Sequence, residues 1–219
     1  MSGKPILTLT GVSKNFGGLL AVHNLSLKVH KEQVCGLIGP NGAGKTTVFN
    51  LITGVYPCTG GSILSEEVDL TRLKPYHITR LGLARTFQTI RLFKNMTTWE
   101  HVIVGQGFRP RSDAGGISLF SRTREKNLRD EAREILILLG LWEVRHRKAS
   151  ILPYGIQRKV EIARALALRP KLLLLDEPTA GLNIQETNEL LKTLNKIHEL
   201  GMTILIIEHD MRVIMELCD

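Results

Sequence analysis

Gly39-Pro40-Asn41-Gly42-Ala43-Gly44-Lys45-Thr46 is the stretch on which the reading of this chain turns, because it matches the phosphate-binding pattern GxxxxGK followed by Ser or Thr. Its surroundings suit that role. Val34-Cys35-Gly36-Leu37-Ile38 is a short apolar run leading into glycine, as in a buried parallel strand. A helix is predicted to start at Lys45 and to stop near Gly54, a C-cap. The glycines let the backbone wrap closely enough for its N–H groups to point at phosphate oxygens, and the helix behind adds its positive N-terminal dipole. Lys45 is then expected to reach the β- and γ-phosphates of a nucleotide, and the Thr46 hydroxyl to ligate Mg2+. Thr47, one step further into the same turn, joins the expected binding set.

Outward from the loop, Leu172-Leu173-Leu174-Leu175 reads as a second apolar strand, and Asp176-Glu177 closes it. A carboxylate at the C-terminal end of such a strand falls near the phosphate loop, where Asp176 can hold Mg2+ through water and Glu177 can polarise an attacking water. An acidic pair after an apolar strand is common by itself, so this signal depends on the loop. Gln185–Leu200 has helical spacing and ends at Gly201, and Thr203–Ile207 is a third apolar strand. Strands alternating with helices predict an α/β fold with a parallel sheet covered on both faces. At the start, Leu7–Val29 reads as short alternating strands joined by the turn Asn15-Phe16-Gly17-Gly18. The region from Gln88 to Pro170 is different. It is rich in helix formers over Arg122–Leu141, with a looser stretch at Phe108–Ser121 expected to be a flexible loop, and reads as an inserted helical subdomain. Met211–Asp219 looks like a helix that stops without a capping residue, as though the natural chain continued.

Composition narrows the classes. The 219 residues suit one domain with an insertion, and 43% hydrophobic residues are enough for a sizeable core. Three cysteines, Cys35, Cys58 and Cys218, share no metal-type spacing and fit a reducing compartment. MSGKPILTLTGV has neither the apolar core nor the cleavage site of a signal peptide, and no stretch approaches the roughly 18 apolar residues of a membrane span. A formal charge of +8 is compatible with nucleic acid, anionic lipid or nucleotide. With 5% aromatic residues and no basic run interleaved with stacking side chains, a generally basic surface is the simpler account, and no nucleic-acid partner is expected.

Several further segments carry a resemblance. Leu152-Pro153-Tyr154-Gly155-Ile156-Gln157-Arg158 leading into a helix resembles the ABC signature segment, and Asp176-Glu177-Pro178-Thr179-Ala180-Gly181-Leu182-Asn183 resembles the Walker B strand end and D-loop of ABC ATPases. In that family Glu208-His209-Asp210 supplies the switch histidine, Gln88 in Arg85-Thr86-Phe87-Gln88 the Q-loop glutamine, and Phe16 the aromatic that stacks on adenine. A lone Gln is usually a surface residue and a lone Phe or His more often structural; the order and spacing of the whole set argue otherwise. The resemblance covers essentially the whole chain, residues 1–219, as a single cassette. It implies a P-loop core of mixed or parallel sheet, an N-terminal antiparallel β-subdomain and a helical subdomain inserted at about residues 89–170. Phe16-Gly17-Gly18-Leu19-Leu20-Ala21-Val22, Arg91-Leu92-Phe93 after Gln88, the Tyr-Gly signature and Ile207-Glu208-His209-Asp210-Met211 look further like the ATPase subunits of branched-chain amino acid importers.

The resemblance implies that ATP is bound with Mg2+, with Thr46, Gln88 and Asp176 at the metal, Glu177 as base or water-orienter and His209 on the γ-phosphate. Residues 39–47, Phe16 and Gln88 would hold the nucleotide of their own subunit, and Tyr154 and Gly155 that of the opposite one. It also implies a homodimer or a pairing with a sister ATPase, transmembrane permease subunits, a periplasmic or extracellular binding protein acting indirectly, and a place on the cytoplasmic face of the membrane. Three positions depart from the family pattern: Pro153 and Ile156 in the signature, where Ser and Gln are usual, and Asn183 for aspartate in the D-loop. Pro153 offers neither a hydroxyl nor a backbone N–H to an opposite ATP. Energising another membrane substrate, acting as a soluble ABC ATPase on ribosomes or DNA, and clamping nucleotide without hydrolysis are the alternatives. A single short cassette speaks against the soluble class, and Glu177 and His209 speak against the clamp.

Overall fold

A computed structural model describes residues 4–109 and 122–218. The run Leu172–Leu175 lies at its centre. It belongs to β7 (Leu172–Asp176), flanked in a parallel sheet by β6 (Leu83–Arg85) on one side and β8 (Thr203–Ile207) on the other, with β3 (Val34–Leu37) beyond β8. Leu173 and Leu175 point into one apolar cluster and Leu172 and Leu174 into the other; Ile204 and Ile206 divide from Leu205 and Ile207 in the same way. An uninterrupted apolar run is what period-2 alternation demands when both faces of a strand are covered.

One face is covered by α1 (Lys45–Ile52), through Val48, Phe49 and Ile52, together with an antiparallel sheet in the order β2-β1-β4-β5. Here β1 (Pro5–Phe16) and β2 (Leu19–His30) form a hairpin in which Phe16 pairs with Leu19 across Gly17-Gly18. Gly17 turns with φ +59°, a conformation that glycine adopts without a Cβ penalty. These are two 12-residue strands, not the short ones expected, and bulges break their register at Leu9/Val12 and on either side of Lys14. The sheet is completed by β4 (Gly60–Ser65) and β5 (Val68–Asp69), which sequence reading did not assign. Helix α2 (Pro75–Arg80) leads from it into β6.

The other face carries α3 (Thr98–Gln106), α4 (Arg122–Leu138), α5 (Tyr154–Leu166), α6 (Ile184–Glu199) and α7 (Met211–Leu217). Helices α3, α4 and α5 fall between Gln88 and Pro170, and their apolar residues Val102, Leu136 and Val160 join the same cluster as Leu173 and Leu175. The loop expected over Phe108–Ser121 lies almost wholly outside the described residues. Helix α7 begins on a cap: the Asp210 side chain accepts from the Arg212 N–H. No helix among the described residues is long and apolar enough to cross a membrane.

Candidate functional site

Register builds the site. Leu37 pairs with Ile207, and Ile207 pairs with Asp176, so β3, β8 and β7 end side by side. Their following residues, the loop from Gly39, the segment Glu208–Asp210 and the pair Asp176-Glu177, therefore emerge at one edge of the parallel sheet. Ligands in open α/β sheets bind at that carboxyl edge.

In the loop, Gly42 and Gly44 take φ +82° and +84°. Gly44 is also pressed against β2: a Cβ there would stand 2.3 Å from the Ala21 carbonyl oxygen, so no side chain fits. Helix α1 starts at Lys45 with no side-chain cap and no acidic residue in its first turn, leaving its N-terminal N–H groups and dipole available to an anion. Pro40, Asn41, Gly42 and Ala43 are exposed and Gly39 is half-buried. Lys45 is 7% exposed, and its ammonium donates to the carbonyls of Gly39 at 2.7 Å and Pro40 at 2.9 Å, so the loop folds around its own lysine. Thr46 is exposed and Thr47 half-buried on the same turn.

Asp176 is 1% exposed. Its Oδ2 accepts from Arg85 Nη2 at 2.7 Å, whereas its Oδ1 is buried without a hydrogen-bond partner. The next residue, Glu177, adopts φ +46°. A left-handed conformation in a residue with a side chain costs of order 1–3 kcal/mol and concentrates at functional sites. Here it is held by the Glu177 N–H donating to Ile207 O at 3.0 Å and by Gln88 Nε2 donating to Glu177 Oε2 at 2.8 Å. Sequence positions 88 and 177 thus meet directly.

His209 is exposed; its ring Nδ1 stands 3.9 Å from Glu208 Oε2. Glu208, for which the motif implies no role, is fully buried and has a structural one. Its carboxylate accepts from the backbone N–H and the hydroxyl of Thr179, at 3.0 and 2.6 Å, tying the segment after β8 to the one after β7.

Phe16 ends β1, 40% exposed, edge-to-face on Tyr56 with centroids 5.2 Å apart and with the Lys14 ammonium 4.9 Å from its ring. Neither Tyr56 nor Lys14 carried a sequence signal. Tyr154 and Gly155 open α5 and, among the described residues, pack away from the phosphate loop of their own chain. Tyr154 instead packs on Gly181, where a Cβ would stand 3.2 Å from its ring, and Gly155 packs on Glu186. Pro153 is the N-cap of α5 and makes no side-chain cap bond. Asn183 caps α6 in a reciprocal box with Glu186, which gives this departure from the family aspartate a local structural use.

Two buried residues missed by sequence reading join these parts. Arg158, fully buried, donates to the carbonyls of Phe87 and Gln88 and to the Tyr154 hydroxyl. Its partner Glu161 accepts from Arg158 and, at 3.4 and 3.3 Å, from the N–H groups of Phe87 and Arg91. Burial pushes the Glu161 carboxyl above the ordinary range, and the Arg158 charge opposes that. The segment around Gln88 is thereby gripped from both sides by the helix that Tyr154 begins.

A strand–glycine loop–helix whose first helical residue is a buried lysine, beside a carboxylate closing the neighbouring strands, defines a phosphate-loop nucleoside-triphosphatase. The profile of the ABC transporter family matches residues 22–180. The chain is 44% identical to the high-affinity branched-chain amino acid transport ATP-binding protein BraF of Pseudomonas aeruginosa, across 99% of this chain and 86% of the relative. It is equally similar, with the same coverage, to the protein of that description called LivG in Escherichia coli K12. Among solved structures it is similar to an ATP-binding cassette of an ABC transporter in its ADP conformation, with a TM-score of 0.84, 32% identity, and coverage of 98% of this chain and 85% of the other. The chain belongs to the ABC transporter family and is an ATPase of that family.

Proposed function

We propose that this chain is the ATP-hydrolysing subunit of an ABC importer for branched-chain amino acids. The observation that carries the chemistry is the strained Glu177, held by Gln88 next to a buried Asp176 that keeps one oxygen unpartnered. The substrate class rests on the 44% identity that runs the length of the chain.

In this reading residues 39–47 hold the triphosphate, with Lys45 leaving its two loop carbonyls for the β- and γ-phosphates. Glu177 orients water for in-line attack and takes its proton. Its Oε2 is occupied by Gln88, so Oε1 is the oxygen that does so. His209 steadies the γ-phosphate. The donor set for Mg2+, a threonine hydroxyl (Thr46), an amide oxygen (Gln88) and the orphaned Asp176 Oδ1, is all hard oxygen and suits this ion. No group of three His, Cys, Asp or Glu among the described residues is close enough to hold a metal alone, so phosphate and water would complete the shell. When bound, the ion supplies charge neutralisation on the phosphates.

Two cassettes, identical or sister, would each present Tyr154 and Gly155 to the ATP held by the other. Transmembrane permease subunits would carry them on the cytoplasmic face, with a substrate-binding protein outside. We assign the single cassette to residues 1–219 and its helical subdomain to about 89–170. Purifying the complex through a tag on this chain and reconstituting it in vesicles tests the proposal. ATP-driven uptake of leucine, isoleucine and valine is expected; recovery of the chain with ribosomes and without permeases would overturn it.

Phe16, Tyr56 and Lys14 form the surface proposed to receive adenine. Phe16→Ala should weaken ATP binding by about 1–3 kcal/mol, the range for base–aromatic stacking, with little effect on the rate at saturation. Equal affinity of the parent protein for ATP and inorganic triphosphate would show that no adenine platform exists.

Pro153→Ser should act twice. A serine N-cap is worth about 1 kcal/mol to α5, and its hydroxyl and N–H restore donors towards an opposite ATP. In the Glu177→Gln background, light scattering should show tighter dimerisation with Mg-ATP for the Ser form. A rise in Tm with unchanged dimerisation would mean that the missing donors do not matter.

A further inference from the structure

Arg85 has no part in the hydrolysis proposed above, yet its side chain bonds that of Asp176. It sits on β6, paired with Leu174, and its side chain is 5% exposed. One arm of the guanidinium, Nη2, donates to Asp176 Oδ2 at 2.7 Å. The other, Nη1, crosses to α1 and donates to Asn50 Oδ1 at 2.7 Å and Thr53 Oγ1 at 3.1 Å. The rings of Phe49 and Phe87 flank the group, with centroids 5.4 and 4.9 Å from its central carbon. Both terminal nitrogens are thus bonded, while Nε is buried without a hydrogen-bond partner.

Thr46 and Asn50 stand at i and i+4 of α1, so they share one stripe of the helix, and Thr53 is its C-cap. Arg85 therefore bridges Asp176 to the same helix stripe that carries Thr46, the other expected metal ligand. The bridge occupies Oδ2 and leaves Oδ1, buried and unpartnered, as the one oxygen of Asp176 open to a ligand. We propose that Arg85 is a positioning residue of the metal–nucleotide site, fixing the separation of Asp176 from Thr46 and presenting Asp176 through Oδ1 alone.

A buried ion pair is weak evidence for stability, because desolvation offsets much of the attraction. Arg85 also brings a positive charge close to where a cation would bind, which by itself opposes metal binding. Its forked, planar geometry is what it adds: a lysine keeps the charge but cannot reach Asp176 and Asn50 together with fixed angles. Partners that orient metal ligands typically influence metal affinity by about 10–100-fold.

The inference rests on the nucleotide site proposed above, and Mg2+ titration separates the two. The affinity of a fluorescent ADP is measured in EDTA and at rising Mg2+ for the parent, Arg85→Lys and Asn50→Ala, with Tm recorded for each. Both variants should bind ADP like the parent in EDTA. The half-saturating Mg2+ should rise about tenfold or more in Arg85→Lys, and by less, in the same direction, in Asn50→Ala. Asn50→Ala keeps the Arg85–Asp176 pair, so it decides the matter if Arg85→Lys does not fold. A lowered Tm with the parental Mg2+ requirement in the folded variants would make Arg85 purely structural and overturn the inference. If the parent itself gains no ADP affinity from Mg2+, the proposed metal site fails, and this inference with it.

Discussion

Glu177→Gln is expected to slow ATP hydrolysis by about 10²–10⁴, the usual contribution of a positioned general base, while leaving Mg-ATP binding in place. The amide preserves the shape of the side chain and removes its basicity. The backbone conformation at φ +46° depends on the Glu177 N–H bond to Ile207, which the substitution does not touch. The Gln88 contact changes character, because Gln88 Nε2 donates to a charged oxygen in the parent and would donate to an amide oxygen in the variant. Gln88→Ala should therefore lower the rate by less than Glu177→Gln, since it removes an orienting bond and leaves the base. An ATP-bound dimer should accumulate in Glu177→Gln. Phosphate release at near-parental rates would remove Glu177 from this role.

Lys45→Ala is expected to lose both affinity and turnover. The lysine bonds the carbonyls of Gly39 and Pro40, so its ammonium already sits where the backbone curls. A hydrogen bond to a charged group contributes about 1.5–3 kcal/mol net, and donors aimed at charge developing in a transition state are worth about 10²–10³ in rate. Nucleotide affinity from a binding titration should thus fall by roughly 10–150-fold, with a further loss in the rate at saturation. A weakened affinity with an unchanged saturated rate would mean that Lys45 binds ground state and transition state equally. The Tm of the ligand-free variant is a needed companion reading, because the Gly39 and Pro40 carbonyls each lose the Lys45 bond, although Pro40 still accepts from the Ala43 N–H.

The parts of the site that lie within one local segment were legible in the sequence. Glycines of the phosphate loop and the apolar run before Asp176 follow from backbone geometry and two-sided burial, and both write themselves into adjacent residues. Strands β4 and β6 left no such trace. One contains Gly60 and Gly61 and the other is three residues long, so neither offers a period to count. The connections between segments were not legible either. Arg85 to Asp176, Arg158 to the carbonyls of Phe87 and Gln88, and Glu208 to Thr179 each join residues far apart in the chain. An arginine or glutamate in those places reads as surface charge until the fold buries it. Asn183 shows the reverse limit: measured against a family pattern it is a departure, whereas the local spacing of Asn183 and Glu186 is that of the capping box that starts α6.

If the carboxyl edge of β3, β7 and β8 hydrolyses ATP, phosphate release reports it without an intermediary. The parent chain, assembled with its permease partners, is assayed with ATP in Mg2+ and in EDTA, with Lys45→Ala prepared identically as the blank. Steady, Mg2+-dependent release is expected in the parent and almost none in the blank. Release that is equal in the two preparations, or absent from the parent while nucleotide still binds, would contradict hydrolysis at that edge.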